Sequence, residues 1–397
     1  MNSIKMPLLI AIAIALSCSF CKKNDTATPT DVLPKMTINS AEIVEANANV
    51  TLSFTVSLDK KTDKTVTVNY KTIDDSALAG SDYIAKSGTL TIAPQNTEGV
   101  IDITITGDSL REPKESFYLE LSNATNAEIS YGKTSGIIYN DDYYVSTSNE
   151  GYSTPTSYTG YTLDWADEFS SAEIDVTAWG YDVGGNGWGN QELQNYTNRK
   201  DNSFQTDGKL VIEAARESFN GNNYTSARML TKGKKEFKWG RIDIRAKVPT
   251  GKGIWPALWM LGSNIDQIKW PASGEIDIME IIGKEPNNLH GTAHWGNVGA
   301  TSSISKGGKY TLPMGVFSDK FHVYSIVWQA DTIEWLMDDI SFHKITKADV
   351  GSNYPFNDKF FLIFNVAVGG SWPGPPDNTT TWPQRMFVDY VRVFKKV

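Results

Sequence analysis

The chain has 397 residues, 21% of them charged and 40% hydrophobic, with 12 Trp, 4 His, 2 Cys and a formal net charge of −9. It is too long for one ordinary domain and too rich in apolar residues to stay disordered. The negative balance argues against a phosphate-backbone binder, and the lack of cysteine after Cys21 excludes a disulfide framework, a catalytic thiol and any cysteine-based metal site in the folded part.

Residues 1–21 carry Lys5, an apolar run from Met6 to Leu16, and then Ser17-Cys18-Ser19-Phe20-Cys21 before Lys22 and Lys23. A positive start and a short apolar stretch match a secretory signal and fall short of a bilayer span. Ala15-Leu16-Ser17-Cys18 resembles a bacterial lipobox. The resemblance implies lipidation at Cys18 in preference to Cys21, which follows the bulky Phe20. It further implies export and a membrane partner held through the lipid anchor, at the outer membrane or cell surface of a Gram-negative cell. Residues 22–34 read as a linker.

Over residues 35–145, Val50, Leu52, Phe54, Val56 and Leu58 alternate with Thr51, Ser53, Thr55 and Ser57, the period of a half-buried strand. The alternation recurs at Val66 to Tyr70, Leu90 to Ile92, Ile101 to Ile105 and Phe117 to Leu121, with turn-rich stretches between, as in an antiparallel sandwich. The wording TVTVNYKTIDDSALAGSDYIAKSGTLTIAP, then REPKESFYLEL, then NDD resembles a Calx-beta domain over nearly its whole length. That resemblance implies an immunoglobulin-like sandwich, and the matching acids Glu45, Asp75, Asp82, Glu112, Glu115, Asp141 and Asp142 would gather oxygens for calcium at one tip, as a hard cation requires. The competing reading is a set of solvated loop acids. Residues 146–160 are rich in Ser, Thr and Tyr without a sustained period, and read as a linker.

Residues 161–397 hold all 12 Trp and further alternating runs: Ile242, Ile244 and Ala246 against Asp243, Arg245 and Lys247, then Val323 to Trp328, Phe360 to Val368 and Met386 to Phe394. No convincing amphipathic helix interrupts them, so a second, larger all-β unit is expected.

The most informative stretch is Gly274-Glu275-Ile276-Asp277-Ile278-Met279-Glu280. Alternation sends Ile276 and Ile278 into the core and puts Glu275 and Asp277 together on the opposite face. Strict alternation would place Met279, not Glu280, beside them, so a β-bulge near Met279 is needed to bring Glu280 onto the acid face. Three crowded acids push their pKa values apart, leaving one carboxyl protonated and another ionised. Retaining glycosidases use two carboxylates in that way. A solvated acidic strand and a carboxylate metal site are the competing readings. Aromatic residues weigh toward a carbohydrate, because Trp255, Trp259, Trp270, Trp295 and Trp372 frame the acids and flat rings stack on sugar faces. For Trp165, Trp179, Trp239, Trp328 and Trp335 core packing is the expectation.

Taken together, GEIDIME, GIWPALWML, EFKWGRIDIRAKVPTGKG, NVAVGGSWPG and FVDYVRVF resemble glycoside hydrolase family 16, nearest to bacterial endo-β-1,3-glucanases of the laminarinase type, from about Tyr161 to the C-terminus. The resemblance implies a β-jelly-roll with a cleft on its concave face, and hydrolysis with retention of configuration. It implies catalytic roles for Glu275 as nucleophile, Glu280 as general acid/base and Asp277 as the assisting acid, and sugar contacts from Trp255, Trp259, Trp270, His294, Asn190, Arg228, Asn365 and Trp372. A structural calcium held by Glu168, the carbonyl of Gly208 and Asp389 is implied too, while catalysis needs no cofactor. The expected partner is a β-glucan, bound by a monomer. The alternatives are a mixed-linkage β-glucanase, a transglycosylase of the same family, and a carbohydrate-binding protein without turnover.

Overall fold

The computed structural model describes residues 32–397; the signal segment and Cys18 lie outside the described residues. Compactness divides the described chain in two. One unit holds the residues up to Ala41 with Thr51–Ile103 and Ser116–Gly136, and the other holds Glu42–Val50, Thr104–Glu115 and Ile137–Val397. The described residues contain only two helices, the single turns Ile265–Ile268 and Lys347–Val350, so the chain is all-β as its alternation predicts.

The N-terminal strands form two sheets. A four-stranded sheet runs in the order Glu98–Ile105, Val50–Leu58, Lys35–Ile38, Glu128–Tyr131, and a five-stranded one in the order Ala41–Val44, Lys133–Tyr139, Glu115–Thr125, Val66–Asp74, Ser87–Ile92. Along Val50–Leu58 the alternate residues Leu52, Phe54, Val56 and Leu58 are buried, the pattern of a strand with one face in a core. Phe54 meets Phe117 edge-on at 6.0 Å, and Tyr83 stacks on Phe117 at 4.3 Å.

The C-terminal strands build a jelly-roll sandwich. Its seven-stranded sheet runs in the order Gly180–Asp182, Arg228–Leu230, Phe360–Val368, Ile254–Gly262, Glu275–Glu280, Asn288–Trp295, Ile304–Thr311. The eight-stranded sheet runs Ser203–Thr206, Lys209–Ala214, Gln384–Lys396, Gly240–Lys247, His322–Gln329, Thr332–Met337, Ile340–Thr346, with Tyr161–Asp167 also paired to Gln384–Lys396. Between the sheets lies one apolar core that includes Ile242, Ile244, Ile276, Ile278, Trp328, Trp335, Phe364 and Val391.

The stretch expected to be a linker is instead bound along the eight-stranded sheet. Gly151 bridges to Phe321, Tyr158 Oη donates to Asp243 Oδ2 at 2.7 Å, the Thr154 amide donates to Tyr390 Oη at 2.8 Å, and Arg245 donates to the carbonyls of Asn149 and Tyr152 at 2.8 and 2.7 Å. Its Ser, Thr and Tyr content reads as solvated in the sequence. In the fold those polar groups satisfy Asp243 and Arg245, both buried on the face of their strand opposite Ile242 and Ile244.

The bulge expected in the acid strand is present. Asp277 pairs with Thr292 and Glu280 with His290, so Ile278 and Met279 stand where the partner strand has only Gly291. On the other side Trp259 pairs with Asp277 and Leu258 with Met279, again passing over Ile278. Ile278 and Met279 both enter the core, and the extra residue returns Glu280 to the face of Glu275 and Asp277. Trp335 backs the bulge: its indole N–H donates to the Asp277 carbonyl at 2.8 Å, and a Cβ on Gly291 would lie 2.5 Å from its ring. Gly291→Ala should therefore push Trp335 off the bulge, destabilising the domain by about 1–3 kcal/mol through overpacking and lowering any activity of the acid face. Urea unfolding of the two proteins measures this, and an unchanged midpoint would refute it.

Candidate active site

The three acids floor a cleft of ≈ 660 Å³ on the seven-stranded sheet. Glu275 and Glu280 stand at the ends of their strand, and Asp277 between them is 3% exposed. Each glutamate accepts a bond from a tryptophan: Trp270 Nε1 donates to Glu275 Oε2 at 2.9 Å, and Trp255 Nε1 donates to Glu280 Oε1 at 3.0 Å. His294 lies beside the first two acids, its Nε2 3.2 Å from Asp277 Oδ2 and 4.0 Å from Glu275 Oε1, while its Nδ1 meets Ser303 Oγ at 3.2 Å.

Burial is the main influence on these carboxyls and raises the pKa of all three. Their surroundings then separate them. Glu280 rises well above its ordinary range, through burial first and then repulsion from Asp277 and Glu275. Glu275 is also raised by burial and Asp277; His294 and an indole N–H oppose the rise at both glutamates, and Arg228 opposes it at Glu275. The arrangement thus offers a carboxyl that keeps its proton, Glu280, facing one whose ionised form has more support, Glu275. That is an acid and a base or nucleophile on one strand face.

All eight residues expected to contact sugar line this cleft: Asn190, Arg228, Trp255, Trp259, Trp270, His294, Asn365 and Trp372. Arg228 is held between two indoles, 4.9 Å from the Trp188 ring centre and 4.7 Å from that of Trp259, and lies 3.1 Å from Asp182 Oδ2. Trp372 meets the edges of Trp255 and His290 at 5.5 and 5.1 Å.

Two tryptophan expectations need correction. Trp295 follows His294 and so points to the opposite face, where it is 4% exposed in the core. Trp239, expected in the core, is 36% exposed on a positive-φ turn, with its N–H on Asn357. Trp179, Trp328 and Trp335 are buried as expected, and Trp165 packs at the edge of the core.

Trp188, Glu192, His290, Thr292 and Ser303 also line the cleft and were missed. His290 and Thr292 share the strand face of His294 by simple alternation. Trp188 and Glu192 flank Asn190 in a Gly-rich loop, a weaker signal.

The metal expectations divide. For the catalytic domain, Glu168 is held by both oxygens to Arg392 at 2.7 and 2.8 Å, and Asp389 accepts from Arg245 at 2.8 Å. Both carboxylates are already counter-charged by arginine, so the set proposed with the Gly208 carbonyl does not stand free for a calcium ion. In contrast, oxygens of Glu45, Asp141 and Asp142 lie within 4.8 Å of one another. Glu45 and Asp142 are 4% and 8% exposed, and Glu45 Oε1 and Asp142 Oδ2 are buried without a protein partner. Burial, then Glu112, Asp108, Asp142 and Asp141, push the Glu45 carboxyl up to about 7. These acids could hold a metal. Of the other matching acids, Asp75 Oδ2 accepts from Ser116 at 2.7 Å and Asp82 Oδ2 from the Leu78 amide at 2.6 Å.

The raised carboxyls carry a stability consequence. An unfolded Glu280 releases its proton near 4.5, whereas the folded protein keeps it to a much higher pH. Between those values the folded state binds more protons, so stability falls as pH rises. Glu280→Gln removes that dependence. Calorimetry should show the variant gaining little over the parent at pH 5 and more at pH 8, each 1 kcal/mol appearing as about 2–4 °C in a domain of this size. An equal gain at both pH values would contradict the assignment.

Comparison with known proteins agrees with this geometry. Residues 190–392 match the model of glycosyl hydrolases family 16, and residues 31–142 that of the Calx-beta domain. A glucan endo-1,3-beta-glucosidase A1 from Niallia circulans is 42% identical over 270 residues, covering 62% of this chain and 39% of that protein. A beta-glucanase from Rhodothermus marinus is 41% identical over 246 residues, covering 59% of this chain and 85% of the relative. The laminarinase catalytic domain from Thermotoga maritima MSB8, solved by crystallography, is 48% identical and covers 60% of this chain and 99% of its own, with a TM-score of 0.56. The carboxylate strand, its aromatic cleft and the sandwich that carries them therefore place this chain in glycosyl hydrolase family 16, with a Calx-beta domain ahead of the catalytic one.

Proposed function

We propose that the protein is an endo-acting β-1,3-glucanase that cleaves laminarin-like polysaccharide with retention of configuration. The observation that carries this reading is the pair Glu275 and Glu280 on one strand face at the floor of an aromatic cleft, with environments that disfavour the charge of Glu280 more than that of Glu275. Relatives named for endo-1,3-β-glucan hydrolysis support the linkage. Arg228 is the only lysine or arginine among the cleft-lining residues, and it is paired with Asp182, which fits a neutral glucan better than a sulfated polymer.

In the proposed sequence Glu275 attacks the anomeric carbon while Glu280 gives its proton to the leaving glycosidic oxygen. Water, deprotonated by Glu280, then displaces Glu275 from the glycosyl enzyme. Asp277 raises Glu280 by repulsion, and its Oδ2 lies 3.2 Å from His294 Nε2. Glu275→Ser should abolish hydrolysis of laminarin and leave oligosaccharide binding largely intact, and retained hydrolysis would overturn the assignment. Product analysis on laminarin, lichenan and agarose separates the β-1,3 reading from mixed-linkage and other glycans.

The proposal also predicts a pH profile. Activity needs Glu275 ionised and Glu280 protonated, so its alkaline limb follows loss of the Glu280 proton. Asp277→Asn deletes a negative neighbour that raises Glu280. The alkaline limb of kcat/KM should then move to lower pH, along with a fall in kcat; a shift to higher pH would refute the role given to Asp277.

Two proposals concern the rest of the chain. The Glu45, Asp141 and Asp142 cluster takes calcium, supported by its converging, unpartnered oxygens and by the Calx-beta match. Saturating calcium at about 100 times its Kd would add roughly 2.7 kcal/mol to that unit, so chelation should lower its unfolding temperature and Asp142→Asn should remove the effect. Export and lipid anchoring at Cys18 rest on the N-terminal sequence alone, and Cys18→Ala should release the protein from the membrane fraction.

A further inference from the structure

One wall of the cleft is organised by a carboxylate that the mechanism does not use. Glu192 is 8% exposed and forms none of the ion pairs among the described residues. Its Oε2 accepts from Gln194 Nε2 at 2.7 Å and from Tyr196 Oη at 3.2 Å, and its Oε1 accepts from Asn190 Nδ2 at 3.2 Å. Tyr196 Oη in turn accepts from Asn365 Nδ2 at 3.0 Å, and Asn365 Oδ1 accepts from Trp259 Nε1 at 2.7 Å. Gln194, Tyr196 and Asn365 are 0%, 1% and 5% exposed, so water does not substitute for these partners.

The direction of every bond in this chain follows from its first member. Both Glu192 oxygens accept from their neighbours, so Tyr196 donates to Glu192, and the tyrosine oxygen is left to accept. Burial next to Glu192 raises Tyr196 well above its ordinary range, which keeps the phenol proton in place for that donation. An accepting Tyr196 oxygen selects the amide nitrogen of Asn365. That choice turns the Asn365 oxygen toward Trp259, whose indole can only donate. By the same logic Gln194 donates through its nitrogen to Glu192 and accepts through its oxygen from the Val368 amide at 2.7 Å, and Asn190 donates through its nitrogen to Glu192.

We propose that Glu192 is a positioning residue which sets the hydrogen-bond polarity of this cleft wall, locking the Trp259 ring and the orientation of the Asn190 and Asn365 amides for the sugar units bound there. This inference rests on the glycan-cleaving reading of the cleft. Hydrolysis of laminarin by the unaltered protein tests that reading separately. Glu192 lies outside the acid face and is no catalytic residue.

The test compares two substitutions that packing and polarity rank in opposite order. Glu192→Gln keeps the shape but presents a donor where Gln194, Tyr196 and Asn190 all donate. Glu192→Asp shortens the side chain but keeps an acceptor only. Steady-state kinetics on β-1,3-gluco-oligosaccharides of increasing length, with unfolding temperatures measured in parallel, read the outcome. The proposal expects Glu192→Gln to raise KM about tenfold for oligosaccharides that span the cleft, as mismatched buried polar groups cost. It expects kcat and the pH profile to stay near those of the parent, and Glu192→Asp to lie closer to the parent than Glu192→Gln. A Glu192→Gln enzyme that matches the parent in KM, or a Glu192→Asp enzyme that is the worse of the two, would overturn it. So would a parallel fall in kcat and unfolding temperature without a KM effect, which is the signature of a role in packing alone.

Discussion

One extra residue in one strand governs the chemistry of this protein. Without the bulge at Ile278 and Met279, the side-chain period of two would send Glu280 into the core and Met279 into the cleft. The bulge can persist because both of its residues are apolar and buried, and because the backbone group left out of the ladder next to it is satisfied by Trp335. The catalytic face is therefore held from beneath, by a tryptophan from the other sheet that does not itself line the cleft.

Gathering three carboxyls on that face works against stability, since burial and mutual repulsion disfavour their charges. The cleft compensates unevenly. His294 and an indole N–H support the charge on each glutamate, but Arg228 supports only Glu275, while Glu280 takes the repulsion of both neighbours. Unequal support is what turns a row of similar side chains into an acid facing a nucleophile. The wall built by Glu192, Tyr196, Asn365 and Trp259 applies the same economy to neutral groups: one acceptor-only residue orients a series of ambiguous amides without touching the reacting atoms.

Much of this was legible in the chain. The strands follow the alternation closely; Phe360–Val368 begins and ends where the apolar run does, and Val50–Leu58 buries four of the five apolar residues that alternate along it, Val50 being half-buried. The bulge was legible because Glu275 and Glu280 are an odd five positions apart, and an odd separation cannot keep two residues on one face of a regular strand. Trp295 could have been placed in the core from its position next to His294, by the same rule. The polar segment around Tyr152 and Tyr158 could not be read, because its partners Arg245 and Asp243 lie on a strand distant in sequence. Nor could the engagement of Glu168 by Arg392, which a pattern of matching residues takes for a free ligand.

The sequence by itself determined the all-β class, the two sandwiches, the shared face of Glu275, Asp277 and Glu280, and the group of aromatic residues near them. Each of these depends on a period of two or on short motifs, which are local properties of a strand. Only the tertiary structure decided which acid keeps its proton, which tryptophans face the cleft, and how Glu192 orients its wall. Those outcomes depend on desolvation and on hydrogen bonds between segments brought together by strand register, as Arg228 is set against Asn365 and Glu192 against Gly369.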